Sequence, residues 1–413
     1  MVNIAILGHG VVGSGVAEVL QNNCKGIAAK AGDSIVVRRI LDLRAFPDLP
    51  YADLFTTDFQ DILQDEEIRI VVETMGGLHP AYDFVKACLL AGKSVVTSNK
   101  ELVAAKGDEL LTIARERNLN FLFEASVGGG IPILRPLDQC LAANEVFEVA
   151  GILNGTTNFM LTKMIREKMS FDGALALAQK LGYAERNPAA DVEGMDACRK
   201  TCILASLAFG KHVYPEEVYT EGITAITEAD VQYAAACGGV IKLLGRAIRT
   251  EDGHVFCMVA PMILPSDNLL AGVDDVFNGI MVRGDSVGDV VFVGRGAGKL
   301  PTASAVVADV IDEVKHLNAR KYLYWGPNEP GHVRDHRLAP VSMLMRFSCE
   351  EDAGALVQIG RTFGDVRMIS IPDAPANEVA FITPCMPEYL LMDKIGGFSG
   401  MTLTRAIRMY AVR

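Results

Sequence analysis

Between Ala178 and Lys200 the sequence AQKLGYAERNPAADVEGMDACRK holds four ionisable side chains, Glu185, Asp191, Asp196 and Lys200. Carboxylates and an amine at these spacings suit the binding of a small polar molecule and the movement of a proton, the work of general acid–base catalysis. Two elements must position them. An apolar run of helical character ends at Leu181-Gly182, where the glycine is a C-cap signal. After a loop at Asn187-Pro188, the pattern predicts a second helix from near Asp191, on which Asp196 and Lys200 stand at i,i+4 and share a face. An exposed pair of that kind is ordinarily worth less than about 1 kcal/mol and marks nothing but a solvated surface. Here the helix runs into Cys202-Ile203-Leu204-Ala205-Ser206-Leu207-Ala208-Phe209, so the pair stands where a helix enters a core.

The order Ala178, Gly182-Tyr183, Asn187-Pro188, Asp191-Val192, Gly194, Asp196 and Lys200 resembles the signature of homoserine dehydrogenases, with every position filled. The resemblance implies an enzyme that interconverts L-homoserine and L-aspartate 4-semialdehyde in threonine and methionine biosynthesis, with NAD(P) as hydride carrier. It further implies that Glu185 and Asp191 hold the substrate ammonium group, with Tyr183 beside them. Lys100 and Lys200 would move the hydroxyl proton, directly or through a water, with Asp196 orienting Lys200. Which lysine is the base stays open.

The amino-terminal third reads independently of that signature. Val2 to Leu7 is a short apolar strand, Gly8-His9-Gly10-Val11-Val12-Gly13 follows at once, and Ser14 to Leu20 has helical periodicity. Strand, GxGxxG and helix in this order form the dinucleotide-binding turn, with Gly8, Gly10, Val11, Val12 and Gly13 lining the pyrophosphate. The phosphates then meet backbone N–H groups at the positive end of the helix dipole. His9 lies in the loop and is expected to be exposed rather than catalytic. Further strands at Ile35–Leu41, Ile68–Val72, Ser94–Thr97 and Asn120–Phe123 alternate with helices at Pro80–Ala91 and Glu101–Arg117, which predicts a doubly wound parallel sheet. Asp42 ends the second strand, where a carboxylate accepts hydrogen bonds from the ribose of NAD and repels the extra phosphate of NADP. Arg44, with Arg38 and Arg39 nearby, works the other way, because a guanidinium can hold that phosphate. In many relatives an arginine stands just beyond this strand, so Asp42 is a departure; NAD is favoured, with NADP also usable. Thr74, Met75 and Gly76, and Ser98 with Lys100, lie at carboxyl ends of strands, where such sheets bind ligands. Both segments resemble family segments lining nicotinamide and substrate, and Lys100 falls where the family has its active-site lysine.

Further along, Glu124-Ala125-Ser126-Val127-Gly128-Gly129-Gly130-Ile131-Pro132 exposes backbone carbonyls beside a carboxylate. The resemblance implies a monovalent cation, sodium or potassium, held through Glu124, Val127, Gly129 and Ile131; oxygen donors suit such an ion. A hinge between domains accounts for the same glycines. Gly151 to Asn158 reads as a strand ending in a polar turn, at which Gly155, Thr156 and nearby amides can hold a carboxylate. An alternating strand is expected at His254–Leu264. Gly298, in the Gly294–Thr302 turn, introduces a helix at Ala303–Leu317 that in relatives returns to cover the cofactor.

At 413 residues the chain is too long for one core. The expected domains are residues 1–133 with about 293–320 for the nucleotide, 134–292 for substrate and dimerisation, a linker at 321–340, and a small domain at 341–413. The fold class is therefore α/β: a Rossmann-type doubly wound parallel sheet, an α+β catalytic domain, and a βαβ-type domain resembling the ligand-sensing ACT module. The last departs from the ACT pattern, since the usual Asp-x-Pro-Gly turn is present only as Asp352-Ala353-Gly354. A formal charge of −12 argues against nucleic acid as a partner. No stretch of about 18 uncharged apolar residues offers a membrane span. Nine cysteines without a CxxC pair read as reduced thiols of a cytoplasmic protein, with Cys198 and Cys202 packed in the core. The start of the chain enters a strand directly, so no leader is expected, nor the kinase domain that some relatives carry in front. A homodimer is the family-based expectation. Two other readings stay open: a different amino-acid or semialdehyde dehydrogenase of the same build, and a non-catalytic amino-acid sensor.

Overall fold

Six strands form the first sheet of the structure, a computed structural model that describes residues 1–319, 323–372 and 374–411. Arg320, at the end of the expected return segment, the first two residues of the expected linker, and Asp373 and residues 412–413 of the expected last domain lie outside the described residues. The strands are β1 (Val2–Leu7), β2 (Ile35–Leu41), β3 (Phe55–Thr56), β4 (Ile68–Glu73), β5 (Ser94–Thr97) and β6 (Phe121–Leu122), paired in parallel in the order β3-β2-β1-β4-β5-β6. Strands β1, β4 and β5 are buried almost throughout, which is why they read as continuous apolar runs and not as alternation. The two-residue β3 has no periodicity to read and escaped the sequence pattern. Order reverses between β1 and β4, so the crevice beyond their carboxyl ends is where this kind of sheet takes its ligand.

The chain divides into two units. The first comprises Met1–Val149, Arg199–Glu217 and Val282–His332, and the second Ala150–Cys198, Val218–Met281 and Val333–Arg413. In the first unit the helix Lys299–Lys315 returns to the sheet and packs on the helix Val11–Asn22. Ala303, Val306 and Val310 share a core with Ile4, Ile6, Val16, Val72 and Val96. The return expected from the glycine turn at 294–302 is thus present, starting four residues earlier than the apolar pattern indicated.

In the second unit, Gly239–Arg249 and Val255–Pro265 form a long antiparallel pair. Val255–Pro265 is buried at all but its last residue. This corrects the expected alternation: alternation requires one wet face, and here both faces are interior. Beyond it lies a βαββαβ arrangement: Met343–Cys349, Asp352–Phe363, Arg367–Ile369, Glu378–Ile382, Glu388–Ile395 and Met401–Met409. Its four strands are antiparallel, in the spatial order last, first, third, second. Met345, Phe347, Ile359, Phe381 and Leu391 fill its core. Its last strand also pairs in parallel with Val255–Pro265, Met262 opposite Arg408, so this small fold is continuous with the sheet beside it. Among the described residues no helix is long and apolar enough to cross a membrane.

Candidate active site

The cofactor end of the first unit is shaped by backbone. A Cβ on Gly13 would lie 1.9 Å from the carbonyl oxygen of Gly8, so no side chain fits where the helix meets the turn. A Cβ on Gly10 would meet nothing within 4 Å, which leaves open space beside the first N–H groups of the helix Val11–Asn22. No side chain caps that helix, so its amino end is available to an anion. Thr74 lashes the turn to β4: its hydroxyl donates towards the carbonyls of Leu7 (3.1 Å) and Gly8 (2.9 Å). Gly298 caps the returning helix, whose Lys299 pairs with Glu18 at 2.6 Å.

Asp42 stands at the end of β2 as expected, but its carboxylate is fully engaged. It accepts from the His9 N–H at 2.7 Å, from the Arg44 N–H at 3.0 Å, and from Arg44 Nε and Nη2 at 2.9 and 2.8 Å. The Arg44 guanidinium holds the Asp42 carboxyl well below the usual carboxylate range, against the opposing effect of burial. Arg44 itself is 62% exposed, so it can leave without disturbing the core. His9 corrects the expectation of exposure: it is 5% exposed, edge-on to Phe46, Tyr51 and Phe55, and burial lowers its pKa. Three aromatics spread over residues 46–55 have no helical or strand period, so nothing local announced that cage.

A network missed by the sequence reading supports Lys100. Glu73, wholly buried at the end of β4, accepts from the N–H groups of Met75 (2.7 Å) and Gly76 (3.3 Å) and from the Thr97 hydroxyl (2.5 Å). Thr97 in turn accepts from the Asn99 N–H at 2.9 Å, and the Asn99 amide donates to the Gly77 carbonyl at 2.7 Å. Asn99 caps the helix Lys100–Glu116 through the Leu102 N–H, which makes Lys100 its first residue. One carboxylate therefore ties the loop 74–77, with Thr74, Met75 and Gly76, to the turn carrying Ser98 and Lys100. Burial raises the Glu73 pKa. Lys200, by contrast, lies inside the helix Met195–Phe209 and is buried.

At Glu124 side chain and backbone part company. The carboxylate accepts from three successive N–H groups, those of Ile133, Leu134 and Arg135, at 2.6, 2.8 and 2.8 Å. Asp309 accepts from the Glu124 N–H at 2.8 Å and pairs with Arg135; its complete burial and the neighbouring Glu124 push its pKa up to about 8. Glu124 is the first residue of a single 3₁₀ turn, Glu124–Ser126, opened by the Phe123 carbonyl, which accepts from the Ser126 N–H at 3.0 Å. The main-chain carbonyls of Val127, Gly129 and Ile131, all on buried residues, accept no backbone hydrogen bond among the described residues. Buried carbonyls normally find a partner, and three on one loop fit a cation that takes oxygen.

In the second unit two of the expected site carboxylates converge on an amide. Asn154 Nδ2 donates to Asp191 at 2.7 Å and to Asp196 at 2.9 Å, while its Oδ1 caps the helix Gly155–Glu167 through the Thr157 N–H at 2.8 Å. One neutral side chain thus gathers two carboxylates at a helix start that also carries Gly155 and Thr156. The Thr156 hydroxyl donates to the Tyr183 carbonyl at 2.6 Å, and the Tyr183 ring meets Phe159 edge-on at 5.1 Å. Asp191 is not on the long helix: a short turn, Ala189–Val192, carries it, and Gly194 intervenes before the helix Met195–Phe209 begins. The sequence pattern merged the two because Asp191 and Asp196 are separated by only four residues. Glu185 is exposed, and its carboxylate makes no hydrogen bond or ion pair among the described residues. Asn154 was overlooked because an asparagine before a helix is read as a cap and nothing more. The cap is real, but only the Oδ1 serves it.

The chain matches two family models: the homoserine dehydrogenase NAD-binding domain over residues 8–124 and homoserine dehydrogenase over residues 132–311. It is 40% identical to the homoserine dehydrogenase of Pseudomonas aeruginosa, over 93% of this chain and 90% of that one. With the Bacillus subtilis homoserine dehydrogenase it shares 36% identity over 92% and 90%. Among solved structures, a homoserine dehydrogenase from Thiobacillus denitrificans superposes with a TM-score of 0.88 at 36% identity, covering 99% of this chain and 98% of its own. A hyperthermophilic archaeal homoserine dehydrogenase in complex with NADPH superposes with a TM-score of 0.65 at 30% identity, covering 76% of this chain and 97% of its own.

Proposed function

Because the chain belongs to the homoserine dehydrogenase family, and is an oxidoreductase with a nicotinamide-binding domain, we propose which of its residues bind, orient and move protons in that reaction. The observation that carries this reading is Asn154, which holds Asp191 and Asp196 together, with Lys200 one helical turn beyond Asp196. Asp191, joined by the exposed Glu185, takes the ammonium group of L-homoserine. Gly155, Thr156 and the neighbouring N–H groups take its carboxylate, with Tyr183 alongside. Asp196 orients Lys200, and Lys200 with Lys100 moves the proton of the C4 hydroxyl. General acid–base assistance of this kind contributes about 10²–10⁴-fold.

The nicotinamide, when bound, supplies hydride acceptance. The residues that would hold it are Gly8, Gly10, Val11, Val12 and Gly13 at the phosphates, and Thr74, Met75, Gly76, Ser98, Lys100 and Gly298 around the rest; the open space at Gly10 fits this. We favour NAD, because Asp42 stands at the ribose position, and infer that NADP is also taken when Arg44 leaves Asp42 for the phosphate. Glu124, Val127, Gly129 and Ile131 hold sodium or potassium through their carbonyls. The domain limits 1–133 with 293–320, 134–292 and 341–413, an ACT-like role for the last, a homodimer and a cytoplasmic setting complete the proposal.

Reduced-nicotinamide absorbance tests it directly. Purified protein with L-homoserine should reduce NAD, more slowly NADP, and should need sodium or potassium. Lys200→Ala should lower kcat by about 100-fold or more with the fold intact by circular dichroism; an unchanged kcat would remove Lys200 from the mechanism.

A further inference from the structure

Arg408, near the end of the last strand, is 5% exposed and meets two carboxylates. Its Nε and Nη2 donate to the two Glu388 oxygens at 2.9 and 2.7 Å, and its Nη1 donates to Glu221 at 2.8 Å. The Tyr219 hydroxyl donates to the same Glu221 oxygen at 3.1 Å, and the guanidinium lies 4.9 Å from the Tyr219 ring centre. Removing the guanidinium would leave the buried Glu388 carboxylate without its counter-charge and with the part-exposed Glu221 carboxylate beside it, which is unfavourable.

Glu221 opens a segment that bears on the substrate loop. Its N–H donates to Val259 at 2.8 Å, anchoring it to the strand Val255–Pro265. The next residue, Gly222, lies so close to the substrate loop that a Cβ there would stand 2.0 Å from the Val192 carbonyl and 2.5 Å from Glu193 Cα. The Ile223 N–H donates to that Val192 carbonyl at 2.8 Å. A Cβ on Gly194 would lie 3.1 Å from Thr220 Cγ2. Residues 220–223 therefore form the wall against which residues 192–194 rest, between Asp191 and Asp196.

We propose that Arg408 is a positioning residue for substrate binding: through Glu221 it fixes residues 220–223, and they set the Val192–Gly194 segment that directly follows Asp191. The carboxy-terminal domain is by this route part of the substrate site's support. The proposal rests on the reading of Asp191 as a substrate-binding group.

The test compares Arg408→Met, Glu221→Gln, their combination and Asp191→Asn in the full-length protein, with KM measured separately for L-homoserine and for NAD. Arg408→Met should raise the homoserine KM about 10-fold, Glu221→Gln about 3-fold, and leave the NAD KM within about twofold, since only contacting groups couple strongly. In the double variant the repulsion between carboxylates is relieved, so its homoserine KM should be no higher than that of Arg408→Met. An unchanged homoserine KM in both single variants, or homoserine and NAD KM rising together, overturns the proposal. Should Arg408→Met fail to fold, Glu221→Gln decides alone, supported by faster hydrogen exchange at residues 188–194 and overturned by an unaltered homoserine KM. Asp191→Asn separates the premise: an unchanged homoserine KM there refutes the reading of Asp191, whereas a raised one with Arg408→Met unaffected refutes only the coupling.

Discussion

The cofactor end of the first unit and the proposed substrate end of the second are built from different materials. At the cofactor end the chain itself is the recognition surface: the Gly8–Gly13 turn and the uncapped start of the helix Val11–Asn22 present N–H groups and empty space. Side chains such as Thr74 and Asp42 hold that backbone in place. At the substrate end the groups are side chains, Asp191, proposed to take the ammonium, and Asp196, proposed to orient Lys200, gathered by the amide of Asn154. Each material suits its ligand. A pyrophosphate is large and anionic and can be met by many weak, fixed N–H dipoles. A small ammonium-bearing substrate offers few atoms, and a charge-assisted bond to a carboxylate gives the strongest contact per atom. Two carboxylates placed together repel, so the substrate end also needs a donor between them, whereas the Gly8–Gly13 turn needs the absence of a Cβ.

On this contrast, the ends should fail in different ways. The largest effect is expected from Gly13→Ala. The added Cβ would stand 1.9 Å from the Gly8 carbonyl oxygen, which forces the turn open and should raise the NAD KM by about 100-fold or abolish binding, as overpacked backbone does. Titration with the reduced cofactor, followed by its nicotinamide fluorescence, would show it, and a normal affinity would break the comparison at its cofactor end. Asn154→Asp should follow, because it sets a third carboxylate against Asp191 and Asp196 and removes their shared donor. The homoserine KM is expected to rise roughly 10- to 100-fold with NAD binding unchanged. Once protonated, the introduced carboxyl would again donate, so the deficit relative to the parent at the same pH should shrink as pH falls. A deficit independent of pH would show that charge is not what Asn154 relieves. The smallest change should come from Asp42→Asn, which removes a side-chain charge at the proposed ribose position. With Arg44 released, the NADP KM is expected to fall roughly 3- to 10-fold, in keeping with the modest strength of an exposed pair. An NADP KM that rises would assign Asp42 and Arg44 to folding alone.

The same contrast explains what could be read in advance. The glycine turn, the parallel strands and the Asp196/Lys200 spacing are local: each is a short pattern whose meaning depends on neighbours in the chain, so the elements of the first sheet were legible, several of them to the residue. Strand ends at Ile35–Leu41 and Ser94–Thr97 coincide with expectation for that reason. His9 was misjudged because its cage comes from Phe46, Tyr51 and Phe55, and its burial is a property of packing.

By itself the sequence determined the residue types available for catalysis, the doubly wound order of the amino-terminal third, and a family-specific spacing from Ala178 to Lys200. These rest on hydrophobic period, on glycine where a Cβ cannot go, and on groups one helical turn apart. Only the tertiary structure decided that Asn154 joins Asp191 to Asp196, that Glu73 ties loop 74–77 to the turn before Lys100, that Glu124 spends its carboxylate on residues 133–135, and that Arg408 reaches Glu221. Each of these depends on where a polar hydrogen finds its partner across 9 to 187 residues of chain. No local pattern encodes that choice, because it follows from which buried polar groups the packed core brings within about 3 Å of one another.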